Sequence, residues 1–151
     1  MMEATKEEVF NACLTVLSSK ITEIKNSIES VKESSKNDTK SSMGDKYETS
    51  REMLQQEINR LEKQLADANQ QLFTLKNIAI NKKSDKIISG SYVKTSMGNF
   101  FIAVALGELN INNSKIFVIS PVAPLGKNLQ AKKMNDTFVM NNKEIKILNV
   151  Y

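Results

Sequence analysis

The chain has 151 residues, of which 40% are apolar and 25% are charged, with one cysteine and no histidine. This length allows one domain or two small ones. The lack of histidine excludes Ser-His-Asp and Cys-His catalysis and most zinc sites, and the single cysteine has no partner for a disulfide. No apolar run is long enough to cross a membrane, and residues 1–8 are too charged and polar for a signal peptide. We therefore expect a cytoplasmic protein with no membrane partner.

The net charge of +4 is unevenly distributed along the chain. Residues 87–151 carry seven lysines and three acidic residues, so the whole positive excess lies in the C-terminal part. A positive field of this size favours an acidic partner or RNA, and ordinary solubilising charge is the alternative. The sequence has no cluster of arginines and no basic strand rich in aromatic residues, which argues against direct readout of a nucleic acid.

Two series of apolar residues recur at steps of three and four, as the a and d positions of a heptad do. They are Phe10, Leu14, Leu17, Ile21, Ile24, Ile28 and Val31, and then Leu54, Ile58, Leu61, Leu65, Ala68, Leu72 and Leu75. When the first residue of one series is paired with the last of the other, every pair is centred at or next to position 43. An antiparallel coiled-coil hairpin requires this symmetry, because its two seams advance equally from one turn. The pattern therefore predicts a hairpin over residues 1–79, with a length of roughly 48 Å from Phe10 to the turn.

Start and stop signals bound the two predicted helices. Thr5 and Glu8 form the T-x-x-E pattern of a capping box, so the first helix should begin at Thr5 and run to about Ser35. The following segment is rich in Ser, Lys and Asn, and Gly44 is the only glycine before residue 90. The remaining predicted bounds are a tip at about 36–46, a second helix from about Asp45 to Leu75 or Ile78, and a linker over residues 80–86.

After the linker, the apolar period changes from that of a helix to that of strands. Short runs rich in Ile, Val, Phe and Tyr lie at residues 87–95, 100–106, 115–120, 137–140 and 144–150. Asn141-Asn142 is a tight-turn dipeptide, which predicts that the last two runs form a hairpin. Residues 121–133 leave room for one short helix. The predicted fold class is α+β, with a helical hairpin followed by a small antiparallel β domain over residues 87–151.

Particular residues in both parts are similar to those of one known family. In the second helix the similar stretches are Tyr47-Glu48-Thr49-Ser50-Arg51-Glu52 and Leu61-Glu62-Lys63-Gln64-Leu65. In the β domain they are Gly90-Ser91-Tyr92-Val93, Ile119-Ser120-Pro121 and the segment from Leu129 to Asp136, and the chain closes on Ile145, Ile147 and Tyr151. With the order of hairpin, linker and β domain, these stretches resemble the Gre transcript-cleavage factors of bacterial RNA polymerase. The resemblance covers nearly the whole chain.

The resemblance implies a mechanical role on RNA polymerase core. The hairpin would enter the polymerase secondary channel, and an FKBP-like C-terminal domain would dock outside it. Two acids at the tip would help to hold a second Mg²⁺ beside the 3′ end of the nascent RNA, where the polymerase cleaves backtracked transcript. The factor would then have no active site and no cofactor of its own, and we expect it to be a monomer.

The tip of this chain departs from the family pattern, which reads approximately G-D-x-x-E-N-A-E-Y. With Tyr47 as the anchor, the candidate catalytic and Mg²⁺-binding acids fall at Asp38 and Asp45, and Glu48 is the alternative. Mg²⁺ prefers oxygen ligands, so carboxylates suit this role. Asp45 and Glu48 also have the spacing of an N-cap and N3 pair that would serve helix stability alone, and Asp38 could merely solvate a loop.

Candidate partner-binding residues in the C-terminal domain are Ser120, Pro121, Lys132 and Lys133, which fall in the family's S-P and lysine signature. For Ser120 and Pro121 a turn that ends a strand is the structural alternative. Three other readings remain open at the level of the sequence. The chain could modulate or inhibit polymerase without promoting cleavage, it could be a coiled-coil adaptor unrelated to transcription, or it could be an enzyme. An enzyme would need Cys13 as an acyl-transfer nucleophile or a prolyl isomerase site, and the lack of histidine and of an aromatic pocket disfavours both.

Overall fold

The computed structural model of the chain describes residues 4–41 and 45–151, with side chains described at 4–36 and 49–151. Contacts divide the chain into two compact units. One unit is Val16–Leu72, and the other combines Met1–Thr15 with Phe73–Tyr151. The second unit therefore contains the N-terminal turns of the first long helix and the last residues of the second, together with the β domain. We refer to these as the hairpin unit and the sheet unit.

Two long helices account for the first half of the chain. Helix α1 runs Lys6–Ser41 and helix α2 runs Asp45–Lys76. Helix α1 thus continues past the expected end near Ser35. The residues concerned are mostly Ser, Lys, Asn and Asp, which cost at most about 0.7 kcal/mol each in a helix relative to alanine. No glycine or proline interrupts the chain before Gly44, so nothing in the sequence forces an earlier end.

The seam predicted from the heptads is present in the hairpin unit. Its buried cluster consists of Ile21, Ile24, Ile28, Leu61 and Ala68, with Val31, Leu65 and Leu72 packed against it. Residues at the intervening positions of both helices are largely exposed, as an amphipathic pair of helices requires. The predicted periodicity is therefore confirmed here.

The burial pattern changes in the first turns of α1, which belong to the sheet unit. Val9 and Cys13 are fully buried, whereas the predicted seam residues Phe10 and Leu14 are only partly buried. The buried face is thus displaced by one position, or about 100° around the helix. A heptad pattern predicts the buried face on the assumption that the helix packs against one other helix. These turns instead lie in a unit that is built mainly of strands, so the prediction does not apply to them.

The predicted capping box forms at the start of α1. The Glu8 N–H donates to Thr5 Oγ1 at 3.2 Å, and the Thr5 N–H donates to Glu8 Oε1 at 3.4 Å. Glu8 has a second role, because the Asn112 side-chain amide donates to its Oε2 at 2.6 Å. One carboxylate therefore both caps α1 and joins it to a turn of the β domain.

The β domain contains a six-stranded sheet with the strand order β3-β4-β2-β1-β6-β5. In chain order the strands are β1 (Tyr92–Thr95), β2 (Gly98–Ile102), β3 (Gly107–Ile111), β4 (Ser114–Ile119), β5 (Thr137–Met140) and β6 (Lys143–Val150), with helix α3 (Pro124–Leu129) between β4 and β5. Neighbouring strands are antiparallel except β2 and β4, which are parallel. The predicted α+β class is confirmed, with this one parallel pair as the departure from a purely antiparallel sheet.

The sequence predicts five strands, and none of them corresponds to β3. It pairs with β4 through the turn Asn112-Asn113, whose φ angles are 52° and 64°. The predicted turn Asn141-Asn142 between β5 and β6 has nearly the same geometry, with φ of 54° and 64°. Asparagine tolerates this left-handed conformation better than most residues, so the same dipeptide marks both hairpins.

The core of the sheet unit is formed mainly by alternate residues of the central strands. Its buried cluster contains Ile87, Val93, Phe100, Ile102, Leu129 and Ile147. Leu129 comes from α3, so the short helix covers one face of the sheet. Ile87 lies outside any strand, and its backbone N–H donates to the Lys132 carbonyl at 2.7 Å. The first predicted strand, 87–95, is therefore a strand only from Tyr92 onward.

Replacing Ile24 with Asp is expected to destabilise the hairpin by roughly 3 kcal/mol or more, because it places an unpaired charge in the seam. Ile24 is only 7% exposed and belongs to the buried cluster. The matched control is Asn26→Asp, which adds the same charge at an exposed position of the same helix. Thermal melts followed by helical circular dichroism measure both variants. Equal melting temperatures for the two variants would contradict the assigned seam.

Glu8 predicts a pH-dependent contribution to stability. Its pKa is lowered by the Asn112 amide first, and then by the backbone and hydroxyl of Thr5. Folding therefore favours the ionised carboxylate of Glu8. Its contribution to the free energy of unfolding is present above the ordinary pKa of glutamate, and it is lost as the pH falls through the lowered pKa of the folded chain. Melting temperatures of the parent and of Glu8→Gln should differ at pH 7 and converge in acid. A difference that persists unchanged at low pH would contradict this role.

Candidate functional site

The predicted tip acids lie where the structure describes no side chains. The backbone places Asp38 in the last turns of α1 and Asp45 at the first residue of α2, with Glu48 in the first turn of α2. The side chains of all three lie outside the described residues. Among the side chains that are described, no group of three His, Cys, Asp or Glu residues is arranged to hold a metal ion. The assignment of the Mg²⁺-binding acids therefore stays a prediction.

Ser120 and Pro121 form a compact turn between β4 and α3. The Val122 N–H donates to Ser120 Oγ at 3.2 Å, and the Ala123 N–H donates to the Ser120 carbonyl at 3.1 Å. Pro124 then occupies the first turn of α3, where its missing N–H costs nothing. The hydroxyl of Ser120 is thus used within the chain, as the structural alternative expected.

Gly126 holds α3 against this turn and was missed by the sequence-based reading. A Cβ atom built on Gly126 would lie 2.2 Å from the Ser120 carbonyl oxygen and 3.0 Å from Pro121 Cα. Only glycine allows the two backbones to approach so closely. The sequence offered no signal for this, because an isolated glycine in a short helix does not show what packs against it.

Lys132 and Lys133 lie just beyond the other end of α3. The backbone N–H of Lys133 donates to Asp136 Oδ2 at 2.9 Å, and Lys86 and Lys133 form an isolated antiparallel bridge. The Lys132 ammonium lies 5.4 Å from the centre of the Phe138 ring. Backbone groups of both residues therefore hold the segment in place, while the Lys133 side chain is exposed. The four predicted partner-binding residues flank α3, two at each end.

The exposed surface of the sheet unit combines this positive charge with isolated apolar side chains. Val122 follows the Ser120-Pro121 turn and is 71% exposed, and Val139 lies on the edge strand β5 and is 69% exposed. Lys115 and Glu108 form an ion pair at 3.7 Å across β3 and β4. Lys127, Lys132 and Lys133 lie in or next to α3, and the acidic residues near them are Asp136, before β5, and Glu144, which pairs with Val139 of β5.

Cys13 has the properties of a core residue. It is fully buried, and burial raises the pKa of its thiol to about 12. A nucleophilic cysteine acts as its thiolate, which this environment disfavours at neutral pH. This environment therefore disfavours the acyl-transfer role for Cys13.

Comparison with known proteins gives one likeness. No family model matches the chain, and a search of curated proteins finds no match. A solved structure described as "Structure of the transcription factor Gfh1" is similar over 91% of this chain and 92% of that chain, with 16% sequence identity and a TM-score of 0.37. At this identity and TM-score, the likeness says nothing by itself about what this chain binds. In the part of the chain that the structure describes, no helix is both long and apolar enough to span a membrane.

Proposed function

We propose that the chain is a Gre-like transcription factor that binds RNA polymerase core. In this proposal the helical hairpin enters the secondary channel and the β domain docks outside. The observation that carries it is the hairpin itself, in which α1 has 36 residues and α2 has 32. Each helix is therefore roughly 50 Å long. Two helices stabilised by one seam form a slender element, which suits a deep and narrow channel.

The distribution of functional groups along the hairpin favours this role over that of a coiled-coil adaptor. Acidic residues lie at both helix ends next to the turn, at Asp38 and Asp45 in the sequence. At the opposite ends, residues of both helices belong to the same compact unit as the sheet. An adaptor needs a long apolar seam, but it needs neither acids at the turn nor a second domain tied to the helix ends.

Docking through the β domain is supported by the arrangement around α3. The Ser120-Pro121 turn and the Lys132-Lys133 segment are held by backbone hydrogen bonds at the two ends of one short helix. Lys132 is half-buried, whereas Lys133 and Val122 are exposed, so the surface around α3 carries positive charge and an exposed apolar side chain. Such a surface suits an acidic face of the polymerase around the channel entrance. We propose that the factor binds there as a monomer.

Cleavage would use metal ion chemistry that the polymerase itself performs. Carboxylates at the tip would contribute ligands to a Mg²⁺ ion in the polymerase active site, next to the 3′ end of the nascent RNA. A second metal ion there lowers the pKa of the attacking water and stabilises the leaving oxygen. The chain would supply only the acids and their position, and so it would have no activity in isolation. The altered tip also supports a second candidate, a channel-binding modulator that does not promote cleavage.

Docking is tested by reversing the charge of one lysine next to α3 and, as a control, of one lysine on β6. Lys132→Glu is expected to weaken polymerase binding about tenfold, or ~1.4 kcal/mol. The matched control is Lys146→Glu, which changes an exposed residue between the buried Ile145 and Ile147 of β6. Binding is measured by titrating labelled polymerase core, and thermal melts confirm that both variants fold. If the two variants bind as tightly as the parent, the α3 surface is not the docking site. If the parent itself does not bind polymerase, the adaptor reading replaces the proposal.

The tip is tested by replacing Asp38 and Asp45 with Asn. This change removes the charge that attracts Mg²⁺ but keeps the shape and much of the capping ability of residue 45. Polymerase binding should persist, whereas cleavage of a backtracked transcript should fall to the intrinsic rate of the polymerase. The control is Glu62→Gln with Asp67→Asn, which removes two charges from exposed positions of α2. It should leave cleavage unchanged.

Two outcomes of this experiment would redirect the proposal. A parent protein that binds polymerase but promotes no cleavage at any Mg²⁺ concentration would establish the modulator reading. A double variant that cleaves as well as the parent would show that other acids act at the tip, and Glu48 would be tested next.

A further inference from the structure

A pocket in the sheet unit is not used by the proposed function. It has a volume of about 540 Å³ and is lined by Lys6, Asn81, Lys83, Ser84, Asp85 and Tyr151, with Ile80 and Val150 as its apolar wall. We call it the Lys6 pocket. Its residues come from the start of α1, the segment after α2, and the end of the chain beyond β6. All of them belong to one compact unit. A volume of this size is within the range of pockets that hold small organic ligands.

Lys6 is the first unusual feature of this pocket. Its side chain is partly buried, and burial lowers the pKa of its ammonium. Among the described residues, no carboxylate forms an ion pair with Lys6, although Asp85 lines the same pocket. A second lysine, Lys83, also lines the pocket. A cation that loses water without gaining a partner is costly, and an anionic ligand would offset that cost.

Tyr151 provides the second feature, a fixed aromatic ring. Its backbone exchanges hydrogen bonds with Tyr92, and its hydroxyl accepts a hydrogen bond from the Asn149 amide at 2.8 Å. The side chain is still 46% exposed. A smaller pocket of about 260 Å³ adjoins the first and shares both Lys6 and Tyr151 with it. Lys94 also lines this smaller pocket, with its ammonium 5.5 Å from the centre of the Tyr151 ring. The ring is therefore held in one place with positive charge near it.

These features together match the phosphates, the base and the ribose of a nucleotide. Lysine ammonium groups bind phosphates as point charges. The Tyr151 ring contacts the Tyr92 ring, with ring centres 5.9 Å apart, and its exposed part together with the apolar wall suits contact with a planar nucleobase. The carboxylate of Asp85 can accept hydrogen bonds from ribose hydroxyls, which is a common role for an acid in nucleotide sites. Simple anions would use only the lysines and would leave the ring, the apolar wall and the acid without a role.

We propose that the Lys6 pocket binds a nucleoside di- or triphosphate. Lys6 and Lys83 contact the phosphates, Tyr151 and the apolar wall contact the base, and Asp85 contacts the ribose. This proposal does not depend on the action on polymerase. Its test uses the isolated full chain, so its failure would leave the polymerase experiments unaffected.

The test is a titration of the full chain with ATP and with GTP, measured by isothermal calorimetry. Lys83→Gln and Tyr151→Leu are each expected to weaken binding about tenfold, through loss of a phosphate contact and of stacking. Lys127→Gln is the matched control, since it removes one exposed lysine from α3, outside the pocket. Binding of the parent should also weaken as salt is added. Because Lys83 is exposed, its replacement should not affect folding, and a thermal melt verifies this for both pocket variants.

Three results would overturn the proposal. The first is the absence of saturable binding of either nucleotide at millimolar concentration. The second is equal affinity for ATP and inorganic tripolyphosphate, which would mean that the base and ribose contribute nothing. The third is an affinity of folded Lys83→Gln and Tyr151→Leu that equals that of Lys127→Gln, which would place the ligand elsewhere.

Discussion

The hairpin depends on one apolar seam, because two packed helices have only one face each to bury. In the hairpin unit this seam is the cluster around Ile24 and Leu61. In the described part of the hairpin unit, the opposite faces of the two helices are polar and exposed. A polar residue in the seam therefore has nothing to compensate for it.

The sheet unit is held by a different kind of constraint, namely close approaches of backbone. The Ser120 turn packs against α3 only because Gly126 has no side chain, and two Asn-Asn turns set the pairing of β3 with β4 and of β5 with β6. Backbone hydrogen bonds hold the segment from residue 120 to residue 136, and among the described residues the ammonium groups of Lys132 and Lys133 form no ion pair. The proposed docking role is therefore compatible with the structural one, since the structural role uses the backbone and the docking role would use the side chains.

Charge is placed differently in the two parts of the molecule, and this has functional consequences. The hairpin carries balanced charge, with acids near its turn, whereas the β domain carries the positive excess. In the proposed function the two parts have opposite requirements, because a metal ion attracts carboxylates and an acidic partner surface attracts lysines. The Lys6 pocket is lined by two lysines and one aspartate, so its charged side chains favour a phosphorylated ligand.

The sequence by itself determined the α+β class, the seam in residues 16–72, the capping box of Thr5 and Glu8, and the Asn141-Asn142 turn. Each of these follows from local periodicity or from contacts three residues apart. Only the tertiary structure decided that Val9 and Cys13 replace Phe10 and Leu14 as buried residues, that β2 and β4 pair in parallel, and that Gly126 lies against Ser120. It also brought together Lys6, Lys83 and Tyr151. These features depend on which distant segments meet, and a single sequence shows the face that a residue occupies but not the partner that this face will contact.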